Sequence, residues 1–183
     1  DDGFGGSGFI NYSSEIFSTE FNLRSQRGNR ITWLIGFRWI EFNEHWNEND
    51  FIPIFDIDLI GQLRNQMYGC QVGADIDVFD QGGPFQIDAE FKVGVFGTRI
   101  TRTQFDLFVF EVNRSSQASF LGEINIAASY QVCTHVALNA GYQLLWLNGV
   151  AMAPANFAGG GSGLNDSGSL FAQGFNGGLS VTW

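Results

Sequence analysis

Charged side chains recur at every second position in two stretches of the chain, and further charges stand at comparable places in three others. The set consists of Glu20, Arg24, Arg38, Asp75, Asp77, Asp88, Glu90, Lys92 and Glu123. Neighbouring carboxylates can bind a cation, or divide acid and base roles between them when their environments differ. Alternatively, the carboxylates and the cations pair with one another and form a structural network.

The remaining residue types complete no catalytic or metal site. His45 and His135 have no Cys beside them in metal-ligand spacing, and neither has a serine and an acid arranged around it for nucleophilic catalysis. The acidic stretches at 47–50 and 56–58 lack the spacing of the helix-loop-helix calcium motif. We therefore expect no enzyme activity, no metal and no cofactor, and we interpret the glycine-rich stretch at 159–163 as a loop tip.

The charged positions lie on stretches that alternate strictly between apolar and polar residues. From Phe85 to Val95 the odd positions are apolar, whereas the even positions are Gln, Asp, Glu, Lys and Gly. From Tyr68 to Val78 the same alternation occurs, and residues 80–84 between the two stretches have the composition of a turn. A period of two is typical of β-strands with unlike faces, so the pair predicts a hairpin.

Two more hairpins and a final strand follow from the same pattern. Residues 17–23 pair with 31–39, residues 122–132 pair with 136–146 across Cys133–His135, and a last strand runs from about Ser169 to Trp183. These make seven strands. Residues 3–10, which are rich in glycine, are the candidate for a weak first strand and bring the predicted count to eight.

The connections alternate in length, as they do in bacterial membrane barrels. Short turns follow residues 23, 78 and 132, whereas long connections are expected at about 47–66, 98–117 and 148–168. Membrane barrels have short periplasmic turns and long extracellular loops. The pattern therefore predicts one domain over residues 1–183, a closed antiparallel up-and-down transmembrane β-barrel that is apolar outside and polar inside.

Aromatic residues on the apolar faces provide a separate indication of a membrane, because such barrels carry an aromatic girdle at each interface. One predicted girdle lies beside the long connections and the other lies beside the short turns. Together they consist of Trp33, Tyr68, Phe85, Phe120, Tyr130, Trp146, Phe171 and Trp183.

Composition agrees with this fold class. The 183 residues include 19 Phe, five Trp and 24 Gly, a mixture that favours strands and turns over long helices. Polar residues interrupt every apolar stretch before it reaches the ~18 residues of a membrane helix, so a membrane crossing would be by strands. A formal charge of −10 argues against nucleic acid as a partner. Cys70 and Cys133 are expected near opposite ends of the barrel as free thiols.

Several segments resemble known outer-membrane sequences. The last eight residues, 176–183, look like the C-terminal β-signal read by the barrel-assembly machinery, with Asn176, Gly178, Val181 and Trp183 at its defining positions. Residues 33–39, 67–74 and 141–147 resemble a family of planctomycete outer-membrane β-barrel proteins, and the likeness spans about residues 12–183. The resemblance implies a fold and a location in the outer membrane, and it supplies no catalytic residues.

The function expected from the sequence is that of a structural or cell-surface outer-membrane barrel. An eight-stranded interior is just wide enough for side chains to fill it, which favours the structural network over a catalytic one. A small porin and a subunit of a larger barrel assembly remain alternatives. The expected partners are the lipid bilayer, the assembly machinery and, where a glycine-rich first strand leaves an edge open, identical copies.

Overall fold

The protein forms one antiparallel sheet, seen in a computed structural model that describes residues 7–26, 30–52, 55–106, 109–158 and 163–181. Seven strands and one short helix occupy these residues. They are β1 (Ser7–Gln26), β2 (Ile31–Ile52), β3 (Phe55–Asp80), β4 (Phe85–Asp106), β5 (Val109–Cys133), β6 (Val136–Val150), α1 (Ala153–Phe157) and β7 (Gly168–Val181). Each strand pairs with the next one along the chain, and the sheet curls into a half-barrel. The predicted all-β, up-and-down antiparallel class is confirmed.

The three predicted hairpins are confirmed in the described residues. Phe21 pairs with Phe37, Val72 with Val93, and Ile126 with Tyr142. The turn between β3 and β4 is closed where the Gly82 amide donates to the Asp80 carboxylate at 2.8 Å. Gly82 has a φ of 70°, in the left-handed region that glycine adopts without steric cost.

The prediction of a separate first strand at 3–10 is wrong for the residues that the structure describes. Residues 7–10 form the beginning of β1, which continues without a break to Gln26, and residues 3–6 lie outside the described residues. The reason is local: no glycine or proline interrupts the chain between Phe9 and Gln26, so nothing turns it back. Seven strands, instead of the predicted eight, are described.

Two of the three predicted long loops are also corrected, because strands occupy most of them. β2 extends to Ile52 and β3 starts at Phe55, while β4 extends to Asp106 and β5 starts at Val109. In these extensions many outward positions carry polar residues, so the apolar stripe that marks a strand in the sequence is lost although the strand continues. The third connection, between β6 and β7, contains α1.

The two faces of the sheet differ sharply. On β4 the side chains from Lys92 to Ile100 alternate between buried even positions and exposed odd positions. The buried positions define the concave face, and the exposed positions define the convex face. Two apolar clusters and a group of buried charges lie on the concave side. No helix among the described residues is long and apolar enough to cross a membrane.

Candidate functional site

The concave face carries a continuous network of ion pairs, centred on Lys92. Its Nζ lies 2.9 Å from Glu20 Oε1, 2.8 Å from Glu90 Oε1 and 3.3 Å from Glu123 Oε1. Arg38 Nη1 lies 2.5 Å from Glu123 Oε2, and Arg38 Nε donates to Ser18 Oγ at 2.8 Å. Lys92 and Arg38 are buried, with 5% and 6% of their surface exposed. Charges at this depth are tolerated only because each one is paired.

Arg24 extends the network toward the short turns. Its guanidinium lies 2.9 Å from Asp75 Oδ2 and 2.7 Å from Glu90 Oε2, so Glu90 bridges Arg24 and Lys92. The connected set contains three cations and four carboxylates. Gln71, which is buried, completes part of the hydrogen bonding by donating to Glu20 at 2.7 Å. The network spans β1 to β5.

Strand register explains how residues distant in sequence come together here. Glu20 lies opposite Arg38, Asp75 opposite Glu90, and Lys92 opposite Glu123. Glycine provides the room for these long side chains. A Cβ at Gly73 would stand 2.2 Å from the Phe91 carbonyl oxygen and 3.1 Å from Lys92 Cγ.

All nine charged residues proposed from the sequence lie on the concave side, and seven of them join this network. The remaining two, Asp77 and Asp88, lie directly opposite each other at the short-turn end of β3 and β4. Neither forms an ion pair with a described cation. Gln86 donates to Asp88 at 2.9 Å, which provides one polar partner.

An apolar layer crosses the concave face next to the network, on the side toward the strand ends that lie opposite the short turns. It is formed by Ile40, Met67, Phe96, Leu121, Leu147 and Val150, all of them buried. The expectation of a uniformly polar interior is therefore wrong at this level. The sequence holds a signal for the layer that alternation alone does not reveal. Pairs of consecutive apolar residues, Trp39–Ile40, Met67–Tyr68, Val95–Phe96 and Trp146–Leu147, place one apolar side chain on each face.

The described parts of the connection between β6 and β7, residues 151–158 and 163–167, fold onto the concave face and are here called the inner loop. Ala151, Ala153 and Phe157 pack against Trp46, Leu63 and Ile100 of the strands. Phe157 occupies space left by Gly61, where a Cβ would stand 2.6 Å from the Phe157 ring. The Arg102 guanidinium lies 5.2 Å from the centre of the same ring, a cation–π contact.

Polar contacts fix the inner loop to the sheet. The buried Asn65 side chain donates to the Ala151 carbonyl at 3.0 Å and accepts from the Ala151 amide at 2.9 Å. Glu44, also buried, accepts from the Ala153 amide at 2.8 Å and from the Tyr12 hydroxyl at 2.5 Å. Burial raises the pKa of Glu44 above its ordinary value, against the opposing effect of these two hydrogen bonds.

Asn156 also holds the inner loop together from within. Its Nδ2 donates to the carbonyls of Met152 and Asn165 at 2.9 and 2.8 Å, and its Oδ1 accepts from the Asn165 amide at 2.7 Å. The sequence suggests only a flexible extracellular loop here, because single asparagines give no sign of their long-range partners. The loop tip predicted at 159–163 lies, except for Gly163, outside the described residues.

The convex face carries a broad apolar belt. Outward residues are apolar or glycine from Ile31 to Trp39 on β2, from Tyr68 to Val78 on β3, from Phe85 to Gly97 on β4, and from Ala118 to Tyr130 on β5. The same holds on most of β6 and β7. Many of these side chains are exposed, including Val93 at 60% and Trp33 at 57%.

The predicted girdle residues lie at the two margins of this belt. Tyr68, Phe120, Trp146 and Phe171 lie toward the long strand ends, and Trp33, Phe85 and Tyr130 lie toward the short turns. Trp183 lies outside the described residues. The margin opposite the short turns is called the upper margin. Beyond it the outward positions of β2 to β5 become polar, with Glu41, Arg64 and Arg99 as examples. The Arg64 guanidinium, 2.8 Å from Glu41, lowers the pKa of Glu41 to about 2.

The histidines and cysteines lie on different parts of the sheet, with Cys70 on the belt in the middle of β3 and not near one end as expected, and Cys133 at the end of β5. His45 is exposed on the convex face of β2 in its polar extension, while His135 lies at the short turn between β5 and β6. Cys70 and Cys133 are both free and exposed. No group of three or more potential metal ligands occurs among the described residues.

Comparisons of the chain with protein-family models, with curated proteins and with solved structures gave no match.

Proposed function

We propose that the protein is an outer-membrane β-barrel with a structural or cell-surface role, exported to a Gram-negative-type envelope and related to the planctomycete family that its sequence resembles. The observation that carries this proposal is the apolar belt on the convex face. Water-soluble proteins rarely expose contiguous apolar patches larger than a few hundred Å², whereas this belt crosses every strand. Lipid is the environment in which such a face is stable.

The height of the belt supports a bilayer. On β4 the apolar outward positions run from Phe85 to Val95, ten residue steps. At about 3.3 Å per residue and a tilt of about 40°, these steps cover a height of about 25 Å, the thickness of the apolar band of membrane barrels. The polar extensions of β2 to β5 would then project beyond the membrane and present a wall to partners at the cell surface.

The concave side favours a structural role over transport. The ion network, the apolar layer and the inner loop are stacked along the axis of the half-barrel, and each lies where a channel would pass. A porin is the alternative function if a water-filled path passes these three layers. Single-channel recording separates the two functions.

The edges of the sheet favour a second candidate, a barrel completed by strands of another copy. In the part of the chain that the structure describes, β1 and β7 each pair on one side only. An unpaired strand edge is not tolerated in lipid, because its backbone groups find no hydrogen-bond partner there. A partner strand must therefore cover each edge within the membrane.

Membrane insertion is the first test. The protein, refolded into phosphatidylcholine vesicles, should float with them, resist extraction by urea and carbonate, and migrate differently on gels before and after boiling. A fully soluble protein in the absence of detergent would contradict the proposal. The proposed β-signal gives a matched comparison: Val181→Asp should impair assembly in cells, whereas Ser169→Asp, at the start of the same strand, should not.

Cysteine cross-linking tests the second candidate. In a background with Cys70→Ser and Cys133→Ser, Thr19→Cys on β1 is combined with a cysteine at residue 171, 173, 175 or 177 on β7. Residues facing each other across paired strands are close enough for a disulfide. Disulfide-linked dimers indicate completion by a second copy, whereas a disulfide only within one chain indicates closure by the chain itself.

A further inference from the structure

Three arginines gather on the convex face just beyond the apolar belt. Arg64 on β3 and Arg114 on β5 both lie in register with Thr101 on β4, and Arg99 lies two residues from Thr101 on the same face. The chain has only nine lysines and arginines against 19 acidic residues. One third of its cations therefore lie in this small area, which we call the arginine patch.

Two of the three arginines have no anionic partner among the residues that the structure describes. Arg64 is paired with Glu41, but Arg99 and Arg114 form no ion pair or side-chain hydrogen bond with any residue that the structure describes. Both are exposed. Cross-strand diagonal neighbours are about 7–8 Å apart, a distance that two long side chains close easily around one anion. Arginine is the preferred side chain for binding phosphate, since its planar guanidinium donates two parallel hydrogen bonds.

Three surface cavities follow one another from the arginine patch to the belt, and together they are called the groove. Its upper part, about 630 Å³, is lined by Gln66, Arg99, Thr101, Arg114, Ser115 and Ser116. A second part shares Gln66, Arg99 and Ser116 and continues past Gly97 to Tyr68. The third is a separate cavity, almost entirely apolar, that lies nearer the short turns beside Val93, Val95, Phe120 and Trp146 and shares no lining residue with the other two.

Gly97 lies on the convex face between the arginine patch and the apolar part of the groove. A Cβ at this position would meet only the Tyr68 carbonyl oxygen, at 4.0 Å. No steric requirement for glycine therefore exists at this point of the sheet. The missing side chain instead leaves the convex surface low between Arg99 and Val95.

We propose that the arginine patch and the groove below it bind a phospholipid with an anionic phosphate headgroup in the outer leaflet. The phosphate contacts Arg99 and Arg114, while an acyl chain follows the groove past Gly97 along Val95 and Phe120. The change from cationic to apolar lining matches an amphiphile of this kind and no purely polar ligand. The inference rests on the proposed membrane location, because it places the patch at the level of the headgroups.

The test uses the full chain in mixed micelles, with native mass spectrometry to count bound lipids. Phosphatidic acid is the probe, phosphatidylcholine is the lipid control, and inorganic phosphate is the soluble competitor. Arg99→Gln and Arg114→Gln should each weaken binding of phosphatidic acid about tenfold, the effect of losing one charge-assisted contact. Arg30→Gln, which removes an exposed cation at the opposite end of the barrel, should leave binding unchanged. Gly97→Val should also weaken lipid binding, since it narrows the groove without a backbone clash.

Several results would overturn the inference. Equal binding of phosphatidic acid and phosphatidylcholine, or unchanged binding in Arg99→Gln and Arg114→Gln, would show that the patch does not select the headgroup. Competition by inorganic phosphate at the same concentration as the lipid would point to a free phosphate instead. Vesicle insertion is measured separately by flotation. An inserted protein without lipid preference contradicts only this inference, whereas failure to insert contradicts the proposed function and this inference together.

Discussion

Single residues acquire opposite roles here according to the face on which they lie. Lys92 and Val93 are neighbours in sequence, yet the Lys92 side chain is buried among carboxylates while Val93 is exposed on the belt. A substitution that is neutral on one face is costly on the other. Two predictions exploit this contrast.

The first concerns Val93, which the proposed function places against lipid. Val93→Arg should lower the free energy of unfolding in lipid by about 1–3 kcal/mol, because the proposed function places Val93 between the bilayer midplane and the upper margin of the belt, where an arginine still loses much of its hydration. Gln62→Arg, an outward position on the polar extension of β3, is the control and should change little. Urea titration of the protein in vesicles measures both values. Equal effects of the two substitutions would exclude a lipid-facing Val93.

The second concerns the ion network. Lys92→Ala leaves Glu20, Glu90 and Glu123 without their common partner, and breaking a buried ion pair costs about 3–5 kcal/mol. Arg64→Ala removes a cation whose side chain is 54% exposed, and an exposed pair contributes only about 0–1 kcal/mol. The same urea titration compares the two variants. A Lys92→Ala protein as stable as Arg64→Ala would contradict a structural network.

At the scale of elements, the sequence predicts the strands well wherever one face is apolar and the other is polar. The hairpins between β1 and β2, β3 and β4, and β5 and β6 all follow from alternation and from turn composition. The prediction fails where the outward face of a strand changes from apolar to polar along its length. Glu41, Arg64, Arg99 and Arg114 are outward residues in unbroken strands, but their polarity makes these segments resemble loops.

The residues of the candidate site likewise divide into those that alternation predicts and those that it does not. Alternation finds the residues of the ion network, because each one lies at a polar position of a well-marked strand. It cannot find Asn65, Glu44 or Phe157, whose partners are supplied by the register of strands far apart in sequence and by a loop without periodicity. The inner loop is therefore an element that only the three-dimensional arrangement reveals.

Docking of the inner loop should depend on Asn65. Asn65→Ala removes two hydrogen bonds and leaves the buried amide and carbonyl of Ala151 unpaired, at a cost of about 1–3 kcal/mol for each group. Asn113→Ala is the control, since among the described residues the Asn113 side chain bonds only to Glu111 on its own strand. Hydrogen exchange at the inner-loop amides should increase in the first variant alone. Unchanged exchange would show that Asn65 does not hold the loop.

Docking should also depend on pH through Glu44, which lies beyond the belt. Burial raises its folded-state pKa above the ordinary 4.5, so the docked state retains a proton that the unfolded state releases. Its contribution to stability is greatest below the ordinary pKa and decreases as the pH rises through the raised value. The protection factor of the Ala153 amide should decrease over this range, and Glu44→Gln should abolish the decrease. Protection that rises with pH would contradict this assignment.

At the scale of the whole molecule, the layers on the concave side act in series. A permeating ion would meet the paired charges around Lys92, then the apolar side chains of Ile40, Met67 and Phe96, and then the inner loop. In the first layer the seven connected charges are all in ion pairs, and the second layer is apolar apart from Thr98 and Ser119, whose hydroxyls hydrogen-bond to each other. Each layer blocks the path of an ion separately, so a substitution that weakens one layer should not create a conducting path.

The last prediction follows from this arrangement: the inserted protein should not conduct in a planar bilayer. The Lys92→Ala and Arg38→Ala proteins should be less stable than the unmodified protein. Inserted molecules of either variant should still carry no ionic current, because the apolar layer is intact in both. In a porin the same substitutions would mainly change ion selectivity, since they alter charge along a pathway that is already open. Flotation of the same protein with vesicles shows that silence does not reflect failed insertion. Steady, cation-selective conductance from the unmodified protein would overturn the structural role, because ions would then be passing the network and the apolar layer that fill the concave side.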